Sequence, residues 1–423
     1  LRFNSISIHI FPKLALLILL LSCTDRERSN PLDLKNPETL GRPTGLNVIS
    51  IQDTIFLNWD IIELSDLTGY QIYRGSDTNT EPVLHAFVSA PSNTFKDFTV
   101  VFDIEYDYQI SAVGDNFESS RSDFAKIKPG PTFNWVTENG NQQIAKLTHD
   151  SRHLIHRTGR FSAIVDIEPN PRTGEVWVLN NFIGIEGNLK KVTPEGRVDE
   201  RFITFESPTD AALNYDLNEI WVADPQQSSV TKLDSKWNTI FTIHEFTIPT
   251  LVAVDQRNGN CWVAHNDSVS RVLSDGTQVL KSGVRFDSIT SMDLNSEDGS
   301  VWLVDGTRIV KINQNGDFLL EIKAPLTFPG KIAINDSTGE LWAINDNPAG
   351  LYKFSPTGEM LFDVNVSFNP DNISVNLYDN SVLVSDVRGH TIYRVSEGGE
   401  ILSLFKGLIF PDLVSVQNQA RTN

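Results

Sequence analysis

Residues able to do chemistry recur at two fixed offsets from a repeated turn residue. Asn170, Asn214, Asp255, Asn295, Asn335 and Asn376, with Gln417 in the same register, each close a short alternating run. Four positions earlier stand Asp166, Asp210, Leu251, Ser291, Lys331, Asn372 and Leu413. Two positions earlier stand Glu168, Ala212, Ala253, Asp293, Ala333, Ser374 and Ser415. Ile167, Ala211, Val252, Met292, Ile332, Ile373 and Val414 lie between them. Alternate side chains of a strand face opposite sides, so the apolar set belongs to a core and the small or polar set to the other face. If these strands line one axis, Asp166, Glu168, Asp210, Asp293, Lys331 and Asn372 converge on it. Confined carboxylates repel, raise one another's pKa or bind a cation. Asp166, Glu168 and Asp210 are therefore the candidate site for a divalent cation, calcium or similar. A hydrated acidic channel without a ligand is the competing expectation.

Other chemistry-bearing residues read as architecture. Lys146, Lys191, Lys232, Arg271, Lys311, Lys353 and Arg394 give one cation per repeat, expected as a solvated or local ion-pair position. Glu138, Asn180, Asp224, His265, Asp305, Asn345 and Asp386 repeat in the same way and read as turn caps. Asp293-x-Asn295-x-Glu297-Asp298-Gly299 imitates a calcium loop but has one residue too many before its glycine. His149, His153 and His156 cannot share one face of a strand, which argues against a zinc site. Cys261 takes an apolar position and reads as packing. No nucleophile elbow, phosphate loop or dinucleotide fingerprint occurs.

The elements that must hold these residues follow from a period. Trp135, Trp177, Trp221, Trp262, Trp302 and Trp342, continued by Leu383, are spaced 42, 44, 41, 40, 40 and 41 residues apart. Such a period marks a propeller or solenoid. Three residues before each anchor, from the second on, stands Gly or Asn, the residues that tolerate a positive φ in a tight turn. Each unit reads as four short strands, a to d, with no helical period. The unit at Trp135 lacks a strand a, and Phe410–Gln417 repeats the pattern of Phe328–Asn335. The C-terminal segment is thus expected to supply the missing strand and close the ring. The expected fold is all-β: a small sandwich over 43–129, then a seven-bladed β-propeller over 133–417.

Blade motifs such as Pro329-Gly330-x-Ile332-Ala333-Ile334-Asn335…Gly339-Glu340-Leu341-Trp342 resemble NHL-repeat, gluconolactonase-like and streptogramin-lyase-like propellers. The resemblance implies fold more strongly than activity, because such blades carry several enzymes and many binding proteins. In gluconolactonase-like enzymes a divalent metal sits in this channel on a Glu, an Asn and an Asp. The streptogramin-lyase likeness stops short of the site, since no His-x-Glu constellation stands at a blade mouth. Upstream, Pro43…Leu46, Trp59, Gly69-Tyr70-x-Ile72-Tyr73-Arg74 and Tyr106-x-Tyr108-x-Ile110-x-Ala112-Val113 resemble a fibronectin type III domain. That likeness implies a spacer or adhesion module with Trp59 as core indole and Tyr106 as corner tyrosine.

The N-terminus reads as an address. Leu14–Leu21 is an apolar run too short to span a bilayer. Leu20-Leu21-Ser22-Cys23 resembles a bacterial lipobox, which implies a signal peptide over 1–22, lipidation at Cys23 and a polar tether over 23–42. Thr24 rather than Asp after the cysteine favours the outer membrane. Loss of Arg2 and Lys13 would take the formal charge of −19 to −21, so the lipid, not electrostatics, must hold the membrane. A chain this acidic excludes nucleic acid as partner. The leading expectation is a monomeric, lipid-anchored envelope protein whose propeller binds a polar small molecule, a glycan or an envelope protein. The alternative is a metal-dependent hydrolase or lyase acting at the channel mouth.

Overall fold

The computed structural model describes residues 30–51, 54–76, 79–181, 186–323, 325–364 and 366–418. The candidate signal peptide, Cys23 and the first part of the tether lie outside the described residues. The described residues contain strands and turns but no α-helix.

By internal contacts the chain divides into two compact units. One comprises residues up to 47, 57–95 and 106–126; the other comprises 48–56, 96–105 and 127–423. N-terminal to residue 128 there are two antiparallel sheets. One joins Asn47–Ile51, Thr54–Asn58 and Thr94–Asp97. The other runs Asn79–Ser89, Leu67–Ser76, Tyr106–Gly114 and Phe117–Glu118, with Ala125–Ile127 also paired to Tyr106–Gly114. In the smaller unit Trp59 is buried and meets Tyr70 edge to face at 5.1 Å. Tyr70 Oη accepts a hydrogen bond from the Ile62 backbone N–H at 3.1 Å.

From Phe133 onward the described residues form seven four-stranded antiparallel sheets. Six use consecutive strands, and the seventh combines Phe133–Glu138, Gln143–Leu147 and Leu154–Thr158 with Pro411–Gln417 from the far end of the chain. The expected a-to-d order is met in each. Strands b are apolar along their length, as in Val301-Trp302-Leu303-Val304, because both faces are covered. Strands d alternate and are largely exposed, as over Ile401–Lys406. Each hydrophobic cluster draws on two successive sheets, so packing between sheets is the main core. The six tryptophans of the period are buried in those layers.

The a–b turns follow from their residues. Asn295 Oδ1 accepts the backbone N–H of Glu297 at 2.7 Å, and Gly299 completes the turn at φ 74°. Asn380, in the glycine position of its own repeat, takes φ 60°. The calcium-like motif is thus an ordinary turn. The innermost strands lie side by side in chain order from Ile164–Pro169 to Pro411–Gln417, and the last also lies beside the first. The fold is a β-propeller.

Candidate channel site

A cavity of about 600 Å³ runs along the innermost strands, lined by Asp166, Glu168, Asp210, Asp293 and Lys331 among others. Five of the six sequence-derived channel residues therefore share one space. Asn372 is not part of that lining; its Oδ1 turns back to accept the Ile373 N–H at 3.0 Å.

The carboxylates have a second duty that the sequence did not disclose. A strand a is the inner edge of its sheet, so its outward N–H groups lack a strand partner. Side chains of the preceding sheet accept them. Asp166 Oδ2 accepts the Ala211 N–H at 3.0 Å, and Asp210 Oδ2 accepts the Val252 N–H at 2.7 Å. Asp293 Oδ2 accepts the Ile334 N–H at 2.8 Å while its Oδ1 takes the Leu294 N–H at 2.8 Å. Ser374 Oγ does the same for the Val416 N–H at 3.0 Å. Acidic and hydroxyl residues at these offsets are thus clasps between sheets. Repetition of Asp and Ser on the channel face was the available signal.

Burial sets the electrostatics. The strands crowding Asp166 push its carboxyl up to about 6, opposed by the Ala211 and Ile167 N–H groups and by Lys331. Burial likewise lifts Asp293 to about 7, against the N–H of Ile334 and with help from Asp336. Glu168 and Asp210 are also driven well up, by burial first and then by the charge of Asp166. All four keep partial exposure toward the cavity, and solvent contact moderates the effect. Among the described residues no group of three or more His, Cys, Asp or Glu is disposed to hold a metal ion. Asp166 already has both oxygens engaged by backbone N–H groups.

A pH dependence follows. A carboxyl raised in the folded state stabilises below its unfolded pKa, near 4, and that stability is lost as pH rises through its folded value. Asp293 should therefore make the protein less stable between about pH 4 and pH 7, by at most ~1.4 kcal/mol per pH unit. In urea unfolding at pH 4.5, 5.5 and 6.5, the stability of wild type minus that of Asp293→Asn should fall steadily with pH. A constant difference would show that Asp293 titrates normally.

The other repeated residues are structural, one set in an unexpected way. Six of the seven cations on strand c sit opposite a tryptophan in register, as Lys191 does opposite Trp177, and Arg394 sits opposite Leu383. Lys191 Nζ lies 4.1 Å from the Trp177 ring and donates to the Ser235 carbonyl of the next sheet at 2.7 Å. Lys232 repeats this with Trp221 and the Ser274 carbonyl, and Lys353 with Trp342 and the Glu397 carbonyl. Local ion pairs exist, as Lys353 with Glu340 at 2.8 Å, but these ammonium groups are buried rather than solvated and tie sheet to sheet. Most strand-b ends are caps, as Asp305, whose Oδ1 accepts the Asp287 and Ser288 N–H groups at 2.7 and 2.8 Å, whereas His265 bonds Ser270 Oγ at 2.8 Å. The histidines are kept apart. His149 bonds Thr132 and Arg394, whereas His156 packs edge-on against Trp135. Cys261 is buried and free.

No protein-family model matches the chain, and no curated protein matches it in sequence. Solved structures do match in fold. A functionally unknown protein from Desulfotomaculum acetoxidans DSM 771 is 13% identical, with a TM-score of 0.54 over 67% of this chain and 98% of that one. The β-propeller domain of Myceliophteria thermophila Cps50 (Swd1) is 13% identical, with a TM-score of 0.51 over 62% of this chain and 92% of that one. At such identities the likeness speaks to fold alone, and it agrees with the sheets described above: the chain carries a β-propeller.

Proposed function

We propose that this chain is a lipid-anchored protein of the bacterial cell envelope whose propeller binds a polar small molecule in its channel. The observation that carries the reading is the cavity of about 600 Å³ with carboxyls and an amine on its walls. That size suits a small ligand, and such sites place a few polar groups to fix its orientation. The seven four-stranded sheets are read as seven blades of one closed ring of NHL-like type, supported by the even spacing of their anchors. The upstream sheets are read as a fibronectin type III-like spacer, supported by the buried Trp59 and its contact with Tyr70. A glycan or an envelope protein would reach the same channel mouth from outside.

A hydrolase or lyase reading draws on Asp293, which lines the cavity and whose carboxyl, lifted by burial to about 7, can hold and donate a proton near neutral pH. The carboxylate clasps weigh against its metal-dependent form. One experiment separates the two. The full chain in detergent is melted with calcium, manganese, sugars, polyols, amines, carboxylates and amino acids, and binders are then tested for turnover. Binding without turnover supports the module; turnover supports the enzyme, and stoichiometric metal beside it the metal-dependent form. If nothing in the panel raises the melting temperature, the channel is not a small-molecule site.

A further inference from the structure

In the layer four positions before the turn residue the channel charges are segregated, while Asp293 and Asp336 line the cavity deeper along the strands. Lys331 lies on Pro329–Ile334, and Asp166 and Asp210 lie on Ile164–Pro169 and Asp210–Asn214. Around the circuit of innermost strands, Pro329–Ile334 is three steps from Asp210–Asn214 one way and three steps from Ile164–Pro169 the other. All three residues hold the same register, four positions before the turn residue. Lys331 therefore stands across the channel mouth from the adjacent pair Asp166 and Asp210. Its charge reaches both, since it opposes the upward push on each carboxyl. Lys331 is exposed, and among the described residues no hydrogen bond or ion pair ties its amine, although its charge also acts on Asp346 at the end of the neighbouring strand. Leu251 and Ser291 bring no charge to that layer on one side, nor do Asn372 and Leu413 on the other.

We propose that this mouth takes a zwitterionic small molecule, with its anionic group on Lys331 and its ammonium on the Asp166–Asp210 wall. The inference rests on the channel-ligand reading above and narrows its ligand class. A simple anion would satisfy Lys331 but face Asp166, Asp210, Glu168 and Asp293. A simple cation would satisfy the acidic wall but leave Lys331 unpaired and repelling it. A zwitterion satisfies both walls at once: its ammonium favours the ionised form of the carboxyls that burial has raised, and complementary charge on both sides gives specificity as well as attraction.

The test is calorimetric titration of the full chain in detergent with glycine, 4-aminobutyrate and 6-aminohexanoate. Butyrate, butylammonium and glycerol are the comparison ligands. At least one amino acid should bind ten-fold or more tighter than butyrate and butylammonium. Lys331→Met should remove the advantage over butylammonium. Asp210→Asn, which keeps an oxygen to accept the Val252 N–H, should remove the advantage over butyrate. Melting curves without ligand establish that both variants fold. Amino acids that bind no tighter than the singly charged compounds would overturn the proposal, as would an unchanged preference in Lys331→Met. Binding of glycerol or a singly charged compound alone would leave the channel reading standing and sink this one. No binding by any compound would sink both.

Discussion

Removing residues 410–423 is expected to cost the propeller its stability, far beyond what trimming an exposed end would do. The deleted segment contains Pro411–Gln417, the innermost strand of the sheet that begins at Phe133. Its register is fixed against that sheet, with Ser415 opposite Trp135 and Val416 opposite Asn134. Gln417 Oε1 accepts the Trp135 indole N–H at 2.9 Å, and Ser374 Oγ accepts the Val416 N–H at 3.0 Å. Val414 and Val416 also pack with Leu383 and Ile392 of the last sheet, so one strand joins the two ends of the circuit. Burial of two valines alone is worth roughly 3–6 kcal/mol. At about 2–4 °C per kcal/mol for a domain of this size, the melting temperature should fall by ~10 °C or more. The exposed strand edges would favour aggregation besides. Thermal unfolding of the truncated chain beside wild type checks this. An unchanged melting temperature would refute the closure.

The second large effect concerns the anchor. If Cys23 carries the lipid, Cys23→Ala should move the protein from the membrane fraction to the soluble one. Each buried CH₂ of an acyl chain contributes about 0.8 kcal/mol, so removing the chains removes most of the membrane affinity. No helix among the described residues is long and apolar enough to cross a membrane, and the acidic body is repelled by anionic lipid. Fractionation followed by metabolic labelling with a palmitate analogue measures both steps. Full membrane retention of an unlabelled Cys23→Ala protein would remove the lipoprotein assignment.

How much was legible beforehand divides along a physical line. Spacing of Trp135 to Trp342 revealed the period, because each repeat must bury the same large side chain in the same layer. The pairing of Phe410–Gln417 with the first unit was legible because that unit lacked a strand and the C-terminus repeated one. Turn chemistry at Asn295 and Gly299 was equally local and equally readable. The clasps were not. That Asp166 accepts the Ala211 N–H depends on how two consecutive sheets lie against each other, which a single repeat does not encode. The same holds for Lys191, whose partner carbonyl belongs to Ser235, 44 residues away. Asn372 was placed with the channel by register alone, yet it is not among the residues that line the cavity. Offsets along a strand establish which face a residue takes, but not what its side chain grasps there.

The central claim is that the channel is where this protein binds its ligand. A crystal structure with the panel compound that stabilises it most tests the claim directly. The account predicts the compound inside the cavity, within hydrogen-bond reach of Lys331 Nζ and of a carboxyl oxygen of Asp166 or Asp210. The same compound bound on another surface, with the cavity left open, would contradict it.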